Sequence, residues 1–387
     1  MKKQRPEMAV GFQISPEGTL ITYYNDTMKE PMTFNSEGEA GTGLPGITAE
    51  ELASLGGEIE DITPCADYFR NSLRHVLGTE EFGNLHICVT VSELHDRYWE
   101  RIPKALTSLG IERRNIFLQD YQSSFFYYTV NQKAELWKGD VALLTWEDNT
   151  MNGYVLHVDR NHKPALVTVT RAAHQRIDDS MRENRSDEAW GKERDRLLFE
   201  MLKRVFERRN VVTSYLVGDY YSSDWAQRSF QFLIFHRHAF QGNNLFTRGA
   251  CYCAMERTGY QKESGLLFLG ADVISENLGM NMRVRGKDAF FPLINAGINW
   301  YEAHRECELI CDGEETLTLI STPMEGGESI SHVLRLNHMP RRPERATRLR
   351  LSVYFTSPGE CVAEVEDLGF GELYPSSQSK WRRRIEL

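Results

Sequence analysis

Val141-Ala-Leu-Leu-Thr-Trp-Glu-Asp-Asn-Thr-Met-Asn-Gly-Tyr-Val-Leu-His-Val158 is the stretch that decides the fold. Apolar residues dominate both ends, at 141–144 and 154–158, whereas the middle, at 145–152, is mostly polar. Two apolar runs around a short polar segment predict two antiparallel strands joined by a tight turn. We therefore expect a β-hairpin over these residues.

The composition is that of a globular protein long enough for two or three domains. The chain has 387 residues, of which 41% are hydrophobic, 11% aromatic and 26% charged. A formal net charge of −10 argues against nucleic-acid binding, and we interpret the small basic cluster Lys380–Arg384 as a solvated tail. The sequence has no run of about 18 apolar residues and no signal-peptide core, so we expect a cytoplasmic protein without a membrane span.

Seven cysteines scattered along the chain suit a reducing compartment rather than a disulfide framework. Cys251 and Cys253 are two apart on an expected helix and point to nearly opposite faces. Cys307 and Cys311 share a face of an expected strand but lie about 13 Å apart. Neither pair alone can hold one ion, so we expect buried thiols and no metal site.

The pattern changes near residues 261–265. Short strands and amphipathic helices alternate from Met8 to about Tyr260, and strand follows strand from Gly265 onward. We place the domains at 1–262 and 263–387. The sequence shows no internal repeat.

The polar turn resembles the second phosphate loop of the actin-like ATPase superfamily, which includes actin, FtsA and the DnaK-type heat-shock chaperones. In the family pattern Asp-x-Gly-Gly-Gly-Thr-x-Asp, Thr145 stands at the first Asp, Glu147-Asp148-Asn149 at the glycines, Thr150 at the Thr and Asn152 at the last Asp. Such glycines let backbone N–H groups approach phosphate, and the carboxylates hold magnesium. Two carboxylates at glycine positions oppose a triphosphate by about 1 kcal/mol per charge pair at ~4 Å, even in water.

Three further segments resemble the same superfamily in the expected order. The predicted hairpin of strands 8–14 and 19–24 is similar to the first phosphate loop, Gly-x-Asp-x-Gly-Thr-Thr; Gly11 matches, but Gln13 stands at the Asp and Ser15 at the second Gly. Asp120 falls at the Glu that positions catalytic water in DnaK-type proteins, or is simply a helix cap. The strand ending at Gly218-Asp219 resembles the Gly-Gly adenosine motif with its second Gly replaced.

A closing helix and a β-rich C-terminal part extend the resemblance. Residues 244–254 are similar to the last helix of actin-like domains, where Gly249 would permit close helix–sheet packing. Residues 265–269 resemble the interdomain linker of DnaK-type chaperones, and 347–355 alternate like a strand of their substrate-binding β-sandwich. Only about twenty residues follow Asp367, so we expect no counterpart of the family's helical lid there.

The resemblance implies an α/β domain, a reduced actin-like (ribonuclease-H-like) nucleotide-binding-type domain, followed by an all-β, chaperone-like β-sandwich. The leading interpretation is a non-hydrolysing, chaperone-like protein-interaction or scaffold module that uses no cofactor and binds a protein or peptide partner. Met282 and Phe290 are the candidate partner-binding residues, with the sandwich core as their alternative location. A divergent ATPase that uses ATP and magnesium, and a polymerising protein of the FtsA or actin kind, remain alternatives.

Overall fold

The structure, a computed structural model, divides into two units, Met1–Leu266 and Leu267–Leu387. Each unit contains hydrophobic core of its own. The structure describes residues 7–16, 18–34, 44, 46–54, 61–92, 96–147, 149–161, 163–177, 182, 185–218, 220–261, 264–270, 272–284, 286–311, 313, 315–324 and 326–387.

Five strands form the first sheet of the first unit. They are β1 (Met8–Gln13), β2 (Leu20–Tyr24), β3 (Met32–Thr33), β4 (Leu85–Val91) and β5 (Ile116–Asp120). Their order across the sheet is β3-β2-β1-β4-β5; β1, β4 and β5 run parallel, and β2 is antiparallel to both of its neighbours. The predicted hairpin at 8–24 is thereby confirmed.

Three helices accompany this sheet: α1 (Ala49–Ser54), α2 (Thr63–Leu77) and α3 (Asp96–Ser108). Helix α2 begins where the Asp61 carboxylate accepts the Thr63 N–H at 3.0 Å, and it ends at Gly78, whose φ of 63° only glycine adopts easily. Phe69 and Leu73 are fully buried, and the Phe69 ring lies 4.9 Å from that of Phe12 on β1. This apolar face docks α2 on the sheet.

The second sheet contains the hairpin predicted from residues 141–158. Its strands are β6 (Asp140–Glu147), β7 (Thr150–Asp159), β8 (Ala165–Arg176), β9 (Val211–Val217) and β10 (His238–Gln241), in the order β10-β9-β6-β7-β8 within the first unit. The remaining helices of this unit are α4 (Tyr121–Val130), α5 (Asp187–Phe206), α6 (Gln227–Ile234) and α7 (Leu245–Arg257). No helix in the described parts of the chain is both long and apolar enough to span a membrane.

The two sheets have the same topology. The order β8-β7-β6-β9-β10 repeats the order β3-β2-β1-β4-β5, with antiparallel pairing on one side of the first strand and parallel pairing on the other. The fold therefore contains an internal repeat that the sequence does not reveal.

Helix α7 lies directly on the first sheet and on α4. A Cβ added at Gly11 on β1 would overlap the backbone of Thr247 and Cys251 in α7, and one added at Gly249 would overlap the backbone of Ser124 in α4. The close approach expected from Gly249 is therefore a helix–helix contact, and Gly11 provides the helix–sheet contact. Glycine is required at both places because any side chain would separate the backbones.

The second unit contains two four-stranded antiparallel sheets. After the short strand β11 (Leu266–Leu269), the strands are β12 (Glu276–Val284), β13 (Lys287–Ile294), β14 (His304–Cys311), β15 (Thr316–Pro323), β16 (Ile330–Arg335), β17 (Thr347–Ser357), β18 (Glu360–Gly369) and β19 (Lys380–Glu386). One sheet has the order β13-β12-β15-β16 and the other β14-β17-β18-β19. Alternate residues of β17 from Leu349 to Phe355 are buried in the shared core, which confirms the predicted alternation.

The interpretation of Lys380–Arg384 as a solvated tail is wrong, because these residues form most of strand β19. Their basic side chains pair with carboxylates of the neighbouring strand β18. The pairs are Lys380 with Glu366 at 3.6 Å, Arg382 with Glu364 at 3.3 Å and Arg384 with Glu360 at 3.2 Å. Exposed pairs of this kind add little stability, but they neutralise the basic cluster locally.

A buried ion pair joins two loops of the second unit to β18. The Arg342 guanidinium donates two hydrogen bonds of 2.7 Å to the Asp367 carboxylate, and both side chains are almost fully buried. Asp367 also accepts N–H groups from Gly369 at 2.9 Å and Ser377 at 2.8 Å. Burial alone would raise the pKa of Asp367, but these hydrogen bonds outweigh it and hold the pKa well below its usual value.

Replacing Arg342 with Met should destabilise the second unit by about 3–5 kcal/mol, because an unpaired charge would remain buried. Hydrogen exchange of β17 and β18 amides in urea measures this loss. Arg382→Met is the matched control, since its exposed pair should be worth less than about 1 kcal/mol. Equal effects of the two substitutions would contradict the prediction.

The same pair should make the second unit sensitive to acid. Asp367 has a lower pKa in the folded than in the unfolded chain, where it is about 3.9, so its contribution is complete above about pH 5 and is lost progressively as pH falls. Urea midpoints measured between about pH 3 and pH 7 should fall on acidification, and less steeply for Asp367→Asn. Identical slopes for the two proteins would count against this role.

Candidate functional site

The turn of the first hairpin is held by backbone hydrogen bonds. Gln13 and Ser15, which stand at phosphate-loop positions, are buried. The Ser15 carbonyl accepts the N–H of Gly18 at 3.2 Å and that of Ile47 at 3.0 Å. The loop is thus closed on itself and against the segment around Ile47.

A row of polar side chains crosses the ends of β1, β4 and β5. Gln13 pairs in register with Thr90, and Thr90 with Gln119. The Ser124 hydroxyl of α4 lies 2.7 Å from the Thr90 hydroxyl and accepts the Gln119 side-chain N–H at 2.7 Å. The side-chain carbonyl oxygens of Gln13 and Gln119 are buried and have no hydrogen-bond partner among the residues that the structure describes. The row therefore contains two unpaired acceptor oxygens beside the amide donors of the same side chains.

Asp120 lies at the end of β5, beside the polar row, and caps α4. Its carboxylate accepts the Ser123 N–H at 2.7 Å, which is the geometry of an N-cap residue. Burial raises the pKa of Asp120, and the Ser123 hydrogen bonds oppose that shift. The sequence is compatible with either a helix cap or a catalytic role for Asp120. These contacts support the helix cap.

The second hairpin turns over two residues. Glu147 pairs with Thr150, so the turn consists of Asp148 and Asn149. Asp148 lies outside the described residues. Asn149 has a φ of 61°, a left-handed conformation that Asn tolerates better than most residues, and its carbonyl accepts the Ile177 N–H at 2.6 Å. Asn149 thus adopts at a family glycine position a backbone conformation typical of glycine.

The other predicted residues of this hairpin belong to the strands. Thr145 is buried and lies between Asn152 on β7 and Val217 on β9. Thr150 and Asn152 are half-buried, and β7 is flanked at both positions by β6 and β8. The backbone N–H and C=O groups at these positions pair with the neighbouring strands and are not arranged around a phosphate-binding cavity.

The adenosine-like strand ends at a glycine that is already hydrogen-bonded. Gly218, with a φ of 114°, donates its N–H to the Asn243 side-chain carbonyl at 3.2 Å. Asp219 lies outside the described residues. Beyond it, the half-exposed Tyr220 ring stacks on Trp146 with a centroid distance of 5.6 Å. Sequence reasoning missed this aromatic pair, although aromatic residues near the ends of β6 and β9 could have signalled it.

The cysteines do not form a metal site among the described residues. No group of three or more His, Cys, Asp or Glu side chains there could hold an ion. Cys307 and Cys311 are half-buried and the other five cysteines are buried. The expected buried thiols are confirmed for those five.

The two partner-binding candidates occupy different environments in the second unit. Met282 on β12 is half-buried at the margin of the sandwich core. Phe290 on the end strand β13 is 49% exposed, and its ring lies where a Cβ of Gly279 would be. Phe290 is therefore more accessible to a binding partner than Met282.

The first unit thus contains two sheets of one topology, each with a β-hairpin next to its central strand. The chain belongs to the family of unknown function DUF5716, whose C-terminal model matches residues 48–271. Residues 273–387 match a domain of unknown function, DUF8552. Among curated proteins, none matches the chain.

Several solved structures are similar to the chain at low identity. A Bacteroides thetaiotaomicron protein with an actin-like ATPase fold and unknown function is 9% identical, with a TM-score of 0.36, over 64% of this chain and 96% of its own. An inorganic polyphosphate/ATP-glucomannokinase from Arthrobacter sp. strain KM is 12% identical, with a TM-score of 0.35, over 66% and 100%. MreB5 of Spiroplasma citri bound to ADP is 10% identical, with a TM-score of 0.34, over 65% and 97%.

Replacing Asp120 distinguishes a cap from a reactive carboxylate. Asp120→Ala should lower the free energy of unfolding by about 0.5–2 kcal/mol, whereas Asp120→Asn, which keeps the accepting oxygen, should lower it by a few tenths at most. Urea unfolding measures both. If the two variants lose the same stability, the cap is not the main role of this side chain.

Proposed function

We propose that this chain is a non-hydrolysing protein of the actin-like fold that serves as a chaperone-like protein-interaction or scaffold module. The observation that carries the proposal is the polar row, in which the side-chain oxygens of Gln13 and Gln119 have no hydrogen-bond partner in the described parts of the chain. The proposed role requires no nucleotide, magnesium or other cofactor.

Phosphate binding needs donors, because phosphate oxygens at neutral pH are mainly hydrogen-bond acceptors. The row offers the side-chain carbonyl oxygens of Gln13 and Gln119, and the Asp120 carboxyl group lies beside it. Each charge-assisted contact that is missing removes about 1.5–3 kcal/mol, so a few losses erase micromolar affinity. This site therefore disfavours a triphosphate.

The second hairpin supports the same conclusion from its sequence and its backbone. Asn149 keeps a conformation typical of glycine. Glu147 and Asp148 nevertheless bring two carboxyl groups to glycine positions, and Thr145 and Asn152 replace the magnesium-binding carboxylates of the pattern. The groups that neutralise phosphate charge are therefore absent from these positions.

A divergent ATPase would need Asp120 or Asp148 to hold magnesium. The Asp120 carboxylate accepts the Ser123 N–H at 2.7 Å, so it already serves as the cap of α4. This contact favours the non-hydrolysing proposal over the alternative.

Titration calorimetry with adenosine, ADP and ATP, each with and without magnesium, tests the proposal. All should bind weakly, and the phosphates should add no affinity. A Tyr220→Ala control shows whether residual binding comes from stacking of the base on the aromatic pair. A magnesium-ATP dissociation constant below about 10 μM, at least about tenfold tighter than that of adenosine, would refute the proposal.

A further inference from the structure

An apolar patch is exposed at one end of the second sheet. Ile234, Phe235 and Phe240 are 61%, 68% and 44% exposed, respectively. They lie at the end of α6, just after it and on β10, which is the terminal strand of its sheet. We name these three residues the edge patch. Helix α6 and β10 adjoin each other. Large apolar side chains exposed on adjoining elements are costly in water and are typical of interaction sites.

The edge patch has a basic rim. Residues 234–241 contain His236, Arg237 and His238 and no acidic residue, in a chain of net charge −10. The Arg237 guanidinium lies 4.7 Å from the centre of the Phe206 ring and donates to the Phe232 carbonyl at 3.1 Å. Arg237 is thereby held against the aromatic residues beneath the patch. The nearby carboxylate of Asp195 caps the opposite end of α6 through the N–H groups of Arg228 and Ser229.

A loop of the second unit has the complementary character. The loop between β18 and β19 exposes 45% of Phe370 and 87% of Leu373, and Glu372 lies between them. Glu372 is the only charged residue in 368–379. We name residues 369–374 the tip loop; it combines two exposed apolar side chains with a single negative charge.

Backbone hydrogen bonds fix the tip loop. The Phe370 N–H donates to the Tyr374 carbonyl at 2.6 Å, and the Gly369 N–H donates to the buried Asp367 carboxylate at 2.9 Å. Gly369 has a φ of 67°, and a Cβ there would overlap the backbone of residues 374–376. A loop already held in one conformation loses little entropy when it binds.

We infer that the tip loop of one copy of this chain docks on the edge patch of a second copy. Phe370 and Leu373 would cover the patch, and Glu372 would face its basic rim. Because the two surfaces differ and lie on different units, the contact is head-to-tail and extends into oligomers if the rotation does not close. This inference rests on the proposed scaffold role and names a partner for it.

The contact should be weak. Three apolar residues facing two bury well under the ~1,000 Å² that stable interfaces require, so association should appear in the micromolar range and weaken with salt. Sedimentation velocity of the full chain from about 1 to about 200 μM should show a sedimentation coefficient that rises with concentration. A wild-type protein that remains monomeric throughout overturns the inference.

Two variants test the surfaces separately. Leu373→Glu disrupts the tip loop and Phe235→Glu disrupts the edge patch. Each substitution should abolish association while the circular dichroism spectrum and the melting temperature stay unchanged. Ile330→Glu is the control, because Ile330 is 55% exposed on β16 and belongs to neither surface. Association that persists in both variants, or that is lost equally in the control, overturns the inference.

A mixture of the two variants gives the decisive result. The Leu373→Glu protein keeps an intact patch and the Phe235→Glu protein keeps an intact tip, so the mixture should form one contact per pair and stop at dimers. A symmetric patch-to-patch or tip-to-tip contact would not be restored, and that outcome also overturns the inference. Nucleotide titration of the same wild-type sample is an independent measurement. A protein that does not associate leaves the cofactor-free proposal unaffected. Tight ATP binding refutes the cofactor-free proposal and not the self-association.

Discussion

The backbone contact of α7 with β1 and α4 is the constraint on which the first unit depends. Gly11 and Gly249 let the helix reach both elements without an intervening side chain. Thr247 then donates its hydroxyl to the Gly11 carbonyl at 3.1 Å, which fixes α7 along the strand. Because α4 begins beside the ends of β4 and β5, the same contact sets the position of Ser124 over the polar row. The candidate site is therefore a product of helix packing as much as of loop sequence.

Much of the fold followed from local pattern. Apolar runs around polar turns predicted both hairpins of the first unit, and strict alternation predicted β17. Local pattern was misleading at Lys380–Arg384, because the basic residues look solvated until the acidic residues of β18 are known to lie opposite them. Long-range pairing supplies the information that a single segment lacks.

The order of motifs predicts candidate positions but not their contacts. Gln13, Thr145 and Gly218 are candidates from that order, whereas no local pattern indicates that Gln13, Thr90 and Gln119 share one row across three strands. The doubled sheet was hidden for a related reason. Strand order and direction depend on which faces of the strands are apolar and buried. Many different sequences give the same buried faces, so the two sheets can have one topology without any sequence similarity.

The distribution of thiols gives the chain an internal reporter of local opening. Cys65 and Cys251 are buried in the first unit and Cys361 in the second, and burial raises the pKa of each to about 12. A thiol reacts as its thiolate, so in the closed state these three are nearly inert towards an alkylating reagent. The labelling rate at each cysteine then measures how often its own surroundings unfold. Local unfolding of each of the two units can therefore be measured separately in one unmodified protein.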